Sequence, residues 1–171
     1  MSSTKQNDEG LVFMGVDPAF RKKGFWCAVI RRPENTVQFF ECKNLGVFTK
    51  LVIDIFPHHI LVENSNLQKV QFRPGASNKE RQNVGMNMAV SQISVDIITE
   101  ILKPELPVEI SPKKKGAKIA DLNFFEAWLK ANTLTPENYK GNKTEQDKRD
   151  AAKLAMMAEQ QYKLHQKAKK K

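Results

Sequence analysis

Three short apolar runs follow one another between Leu11 and Cys42, with no helical stretch between them. Leu11–Val16 and Gly24–Ile30 are almost purely apolar, and Thr36–Cys42 alternates more loosely. Runs of this length, bounded by turn residues, read as strands. Pro33-Glu34-Asn35 supplies the turn between the second and third, so the chain opens as a β-meander. The period then changes. Leu45–Phe56 is a short helical piece ending before Pro57, and Ile60–Glu63 is a fourth strand. Asn64–Ser77 is a polar loop around Pro74-Gly75, and Asn78–Lys103 is a long helix stopping before Pro104. Val108–Ile110 is a short fifth strand, Asp121–Ala131 a helix, and a last helix runs from Thr144 to about His165. A meander followed by strand–helix alternation predicts an α/β fold, a five-stranded mixed sheet with helices on both faces. The 171 residues are one domain's worth. Residues 11–164 make the folded unit, with a flexible N-terminus at 1–10 and a basic tail at 165–171.

Several classes are excluded. No run of 18 apolar residues exists, so no membrane helix is expected. Met1–Gly10 lacks the apolar core of a signal peptide. Two cysteines, Cys27 and Cys42, are too few for a disulfide framework or a four-cysteine zinc site; they read as reduced thiols in a cytoplasmic protein. Charge is the positive clue. Residues 1–110 hold 13 basic and 12 acidic residues, while residues 111–171 hold 15 and 7. A basic half on a globular domain points to a polyanion, most often nucleic acid.

The acidic residues are placed unusually. Asp17 ends the first strand and Glu63 ends the fourth. Carboxylates seldom terminate apolar strands unless they are paired or metal-bound. Asp147 and Asp150 open the last helix, three residues apart on one face. That face continues through Ala151, Leu154 and Ala158, so both acids point inward while Lys148 and Arg149 point away. Four converging carboxylates repel one another unless cations neutralise them. Hard oxygen ligands select Mg²⁺ or, as a substitute, Mn²⁺. Two such ions about 3.5–4 Å apart form the clamp for in-line phosphoryl displacement.

The long helix carries two opposed apolar stripes. Val84, Met88, Val95, Ile98 and Leu102 form one; Met86, Val90, Ile93, Ile97 and Ile101 form the other. The second stripe meets either a neighbouring helix of the same chain or a second copy.

Gly15-Val-Asp-Pro-Ala-Phe-Arg-Lys-Lys-Gly24 resembles the first-strand motif of the RuvC-type Holliday junction resolvases, G-[IV]-D-P-G-x-x-x-x-G. Val62-Glu63 resembles their second acidic motif, and Asp147-Lys-Arg-Asp-Ala151 is similar to their closing D-x-x-D-A. The resemblance runs from about residue 11 to residue 160. It implies an RNase H-like nuclease domain and a homodimer joined through helix 78–103. It also implies cleavage of branched DNA, the four-way junctions of recombination and repair, with two Mg²⁺ ions per site. Asp17, Glu63, Asp147 and Asp150 would be both catalytic residues and metal ligands. The sequence departs from the family at Ala19, where the family usually has glycine. It also lacks the aromatic that often follows the second acid and stacks in the opened junction. Either Phe72 in the same loop, beside Arg73, would take over that role, or Leu67 would act as a wedge, or the function is absent and Phe72 is a core residue anchoring the loop. The lysines after the fifth strand, Lys113, Lys114, Lys115 and Lys118, fit the family's basic segment, with Lys115 and Lys118 both candidates for the scissile phosphate. Lys143 adds a further DNA contact. Nothing in the sequence identifies a helicase partner. Two other readings stand beside this one. One is a non-catalytic branched nucleic-acid-binding module. The other is a related RNase H-like nuclease acting on other DNA or RNA structures. A 3′–5′ exonuclease of the superfamily would carry D-x-E in the first strand, and Asp17-Pro-Ala19 does not.

Overall fold

A computed structural model describes residues 10–18, 24–68, 74–116, 119, 122–140 and 145–170. The order is β1 (Leu11–Asp17), β2 (Phe25–Arg32), β3 (Thr36–Cys42), α1 (Leu45–Ile55), β4 (His59–Glu63), α2 (Asn78–Leu102), β5 (Glu109–Ile110), α3 (Pro112–Lys115), α4 (Leu122–Ala131), β6 (Thr135–Pro136) and α5 (Gln146–Lys169). The strands form one mixed sheet in the order β5-β4-β1-β2-β3-β6. β1, β2 and β3 pair antiparallel, β4 runs parallel to β1, β5 parallel to β4, and β6 parallel to β3.

The sheet therefore has six strands, not the five expected. β6 is two residues long, too short to show a period. It arises because the stretch after α4 lies along the β3 edge, where Thr135 N donates to Asn35 O (2.8 Å) and Glu137 N to Val37 O (3.0 Å). The Asn138 amide then takes over from the backbone, accepting from Phe39 N (2.8 Å) and donating to Phe39 O (2.6 Å). An otherwise open sheet edge is closed this way.

Alternation along the strands divides the core into two layers. Phe13, Ala28, Ile30, Phe39 and Leu61 pack against α4 and α5. Met14, Val16, Cys27, Val29, Ile60 and Val62 pack against α1 and α2. Helices thus cover both faces, which is why β1 and β4 read as unbroken apolar runs. The two cysteines are free and buried, with their Sγ atoms 3.6 Å apart.

The long helix α2 opens on a capping box, Ser77 with Glu80, and ends at Lys103 in the left-handed region, just before Pro104. Its two expected stripes are not equivalent. Val95 and Ile98 are core, and Val90, Ile97 and Ile101 of the second stripe also pack on that core. Met86 and Ile93 stay exposed, at 41% and 43%. The last helix continues to Lys169, so residues 165–169 are helical rather than a separate tail, and His165 and Lys169 reach Glu105. The expected flexible segment at 1–10 lies outside the described residues except for Gly10. Among the described residues, no helix is long and apolar enough to cross a membrane.

Candidate active site

The site is assembled at the carboxyl ends of two neighbouring parallel strands. Val16 of β1 lies opposite Val62 of β4, so Asp17 and Glu63, each one residue further on, end their strands side by side. Both share the strand parity of Gly15 and Leu61, which face α5. Carboxyl ends of parallel strands are where open α/β sheets place their ligands.

The third acid arrives through a close backbone approach. A Cβ on Gly15 would stand 2.1 Å from Ala151 O and 2.2 Å from Ala155 N. Only glycine lets the first turns of α5 lie this near β1, which brings Asp150 to the end of the strand carrying Asp17. Asp150 is 1% exposed. Asp147, one turn earlier, is half-buried, and its charge reaches Asp17. All four predicted acids therefore contribute to one electrostatic centre.

The neighbours of Asp150 depart from expectation. Lys148 and Arg149 do not point away; they are 7% and 1% exposed. The amino end of α5 is packed against the sheet and against Ile119, Asn138 and Tyr139, so Lys148 and Arg149 are buried along with Asp150, while Gln146 and Asp147 stay half-buried. Arg149 ties these pieces together. Its Nε donates to Ile119 O (2.7 Å), and its terminal nitrogens donate to Tyr139 Oη (3.0 Å) and Gln146 Oε1 (3.2 Å). Lys148 pairs with Glu145 (2.7 Å) and lies over the Trp26 ring, 4.3 Å from its centroid. Trp26 pairs with Asp17 across β1 and β2, so a half-buried indole flanks the acids. No local pattern in the sequence singles out Trp26; the β1–β2 register does.

Lys115, a candidate for the scissile phosphate, lies among the acids: it is 5% exposed, with its ammonium on Glu63 Oε2 and 3.6 Å from Asp150 Oδ2, and it is not part of a solvated lysine loop. β5 delivers it: Ile110 pairs with Glu63, Ser111 caps α3 through Lys114 N, and this single turn folds Lys115 back over the strand ends. Lys113 and Lys114 of the same turn are exposed, as a phosphate contact requires. Phe72, Arg73, Lys118 and Lys143 lie outside the described residues.

The electrostatics follow from burial. Desolvation is the main cause that raises the Asp17 pKa from 3.8 to about 7; Glu63, Asp150 and Asp147 push it further up, and Lys115 pulls it back. For Lys115, burial pulls the pKa down, but Asp17, Glu63 and Asp150 more than reverse this and hold the amine above its ordinary value.

This donor set suits a hard divalent cation: carboxylates only, no thiolate or imidazole, held at the edge of a dry core. Glu63 Oε2 is buried and has no conventional hydrogen bond, only the ammonium against it. Among the described residues, no three His, Cys, Asp or Glu side chains are gathered closely enough to hold an ion as they stand. Lys115 lies among the acids in that arrangement.

The segment leaving Glu63 is fixed by side-chain amides. Asn64 donates to Glu109 (2.6 Å) and Gln92 (3.3 Å), and Asn66 donates to Met88 O (2.8 Å). A 3₁₀ turn over Ser65–Leu67 results, leaving Leu67 47% exposed four residues after Glu63. Two concavities of about 290 and 320 Å³ lie at the other end of β4, bordered by Phe56–Ile60, Leu102 and Pro104, and by Tyr162, His165 and Lys169. None of the four acids lines either. Comparison with known proteins returned no match to this chain, whether among family models, curated proteins or solved structures.

Proposed function

We propose that the chain is a metal-dependent, structure-selective endonuclease that cleaves four-way DNA junctions, built on an RNase H-like fold. The observation that carries this reading is the convergence of Asp17, Glu63 and Asp150, with Asp147 in electrostatic reach, at the ends of adjacent parallel strands. The antiparallel β1–β2–β3 meander, joined through β1 to parallel β4 and β5 and covered by helices on both faces, supports the RNase H-like assignment.

Asp17, Glu63, Asp147 and Asp150 would hold Mg²⁺, or Mn²⁺ in its place. Ions there would supply the Lewis acidity that activates a water and stabilises the leaving 3′ oxygen. The chain's own contribution is position and dryness. Gly15 and Arg149 lock the amino end of α5 against β1, which holds Asp150 at the strand end that carries Asp17. Exposed Lys113 and Lys114 neutralise backbone phosphates, which orients a duplex without reading its sequence. Leu67, exposed and four residues after Glu63, would be the wedge that enters a branch point. The exposed Met86 and Ile93 on α2 are the surface for a homodimer that presents two sites to one junction.

The test offers purified protein with Mg²⁺ a four-way junction, a duplex and a single strand in parallel. Paired nicks in the junction alone are expected. Glu63→Gln, Asp147→Asn and Asp150→Asn should each lose cleavage and keep junction binding. A specific observation favours one other reading: a buried ammonium on the acids suits a non-catalytic module that binds branched nucleic acid. Junction binding without cleavage in either Mg²⁺ or Mn²⁺ would decide for that module.

A further inference from the structure

We propose that Lys115 is the resident counter-ion of the carboxylate cluster, displaced when a divalent cation enters and returned when it leaves. The inference rests on reading the four acids as a cation site.

An ammonium that is 4% exposed along its side chain is costly to bury unless anions repay the desolvation. Equally, Asp150 at 1% exposure and Glu63 at 16% could not converge on Asp17 without a positive charge between them. Each half of the arrangement requires the other. A divalent ion satisfies the acids in the same way, but it repels an ammonium held against the same oxygens. Glu63 Oε2 makes no hydrogen bond beyond this contact, so it is the atom over which the two cations compete.

The backbone around Lys115 suits release. α3 is a single turn, bounded by the Ser111 cap and by Gly116 at φ +77°. Few backbone hydrogen bonds hold it: Lys114 N and Lys115 N donate to Ser111 O, and Gly116 N to Lys113 O. Gly116 has no Cβ to restrict its rotation. Lys115 can therefore leave by moving one turn, with the sheet undisturbed. Two consequences follow. The chain folds without metal, because the cluster carries its own cation. Metal affinity is lower than that of the bare acids, because entry must first expel the lysine.

Two measurements at pH 7.5 test this. The first is Mn²⁺ binding, followed by the electron paramagnetic resonance of free Mn²⁺, for wild type, Lys115→Met and Lys115→Gln. Both variants should bind Mn²⁺ at least tenfold more tightly than wild type. They should also melt lower than wild type in EDTA and recover with Mn²⁺. Equal or weaker binding by the variants overturns the proposal. The second measurement needs no variant: pulse acetylation of wild-type lysines, read by mass spectrometry with and without Mn²⁺. Lys115 should be protected in EDTA relative to Lys113 and become several-fold more reactive with Mn²⁺. Unchanged labelling in a protein that binds Mn²⁺ overturns displacement and leaves the cation site standing. If neither wild type nor variants bind Mn²⁺, the cation-site reading itself fails and the proposal falls with it.

Discussion

Asp17→Asn should stabilise the metal-free protein, and the gain should grow with pH. Burial raises the folded-state pKa of Asp17 from 3.8 to about 7, with Glu63, Asp150 and Asp147 adding to the rise. Between those values the folded chain holds a proton that the unfolded chain has lost. Wild-type stability therefore falls as pH rises from about 4 to about 7 and levels off above. At about 1.36 kcal/mol per pH unit, the full loss is roughly 4 kcal/mol, a large share of the ~5–15 kcal/mol that holds a domain together. From pH 5 to pH 8 the part still to be lost is about 2–3 kcal/mol. Asparagine keeps the shape and never ionises, so it escapes this cost while giving up the attraction of Lys115. The assay is urea unfolding in EDTA, followed by tryptophan fluorescence at pH 5 and pH 8. The stability of Asp17→Asn relative to wild type should rise by about 2 kcal/mol or more between the two pH values. Saturating Mg²⁺ at pH 8 should erase the gain, because it stabilises only the ionised wild-type site. A difference that stays constant with pH, or a variant less stable than wild type at pH 8, would refute the claim that Asp17 is buried at a cost.

Further outcomes are expected. Gly15→Ala should destabilise the fold by about 3 kcal/mol in urea unfolding, since its Cβ would meet the α5 backbone at 2.1 Å and that backbone cannot yield alone. Arg149→Met should cost about 2–4 kcal/mol, because it strands the Ile119 carbonyl and loosens the Tyr139 and Gln146 contacts; its junction cleavage should fall further than its stability explains. Ile93→Glu should give a monomer by sedimentation velocity while the fold survives, since Ile93 is 43% exposed; a monomeric wild type at micromolar concentration would remove the dimer. Lys113→Ala and Lys114→Ala should each reduce the slope of log K against log salt by about 0.9 for junction and duplex alike; loss of junction preference alone would reassign these lysines to branch recognition.

Much of this molecule is written in local pattern. The apolar runs predict β1, β2 and β4 because a strand covered on both faces is apolar nearly throughout, and the looser alternation of Thr36–Cys42 predicts β3. The ends of α2 are legible because Ser77, Glu80 and Pro104 act within one turn of where they stand. Asp17 and Glu63 stand out because a carboxylate closing such a run has no cheap solvated alternative. The helical spacing of Asp147 and Asp150 likewise assigns them to one face.

Tertiary structure decided the rest. Helical spacing shares out faces, but it cannot say that contacts from Ile119, Asn138 and Tyr139 bury Lys148 and Arg149 as well as Asp150. The lysine run after β5 looks like a solvated loop, and three consecutive lysines are indistinguishable by type. Only the pairing of Ile110 with Glu63 and the single turn begun at Ser111 choose Lys115 for the acids and leave Lys113 and Lys114 outside. β6 depends on an edge that β3 leaves open, and Gly15 on a helix more than 130 residues later in the chain. In each case the sequence alone determined the side chain's chemistry. Its environment is set by contacts between segments distant in the chain, and these have no period for a linear pattern to carry.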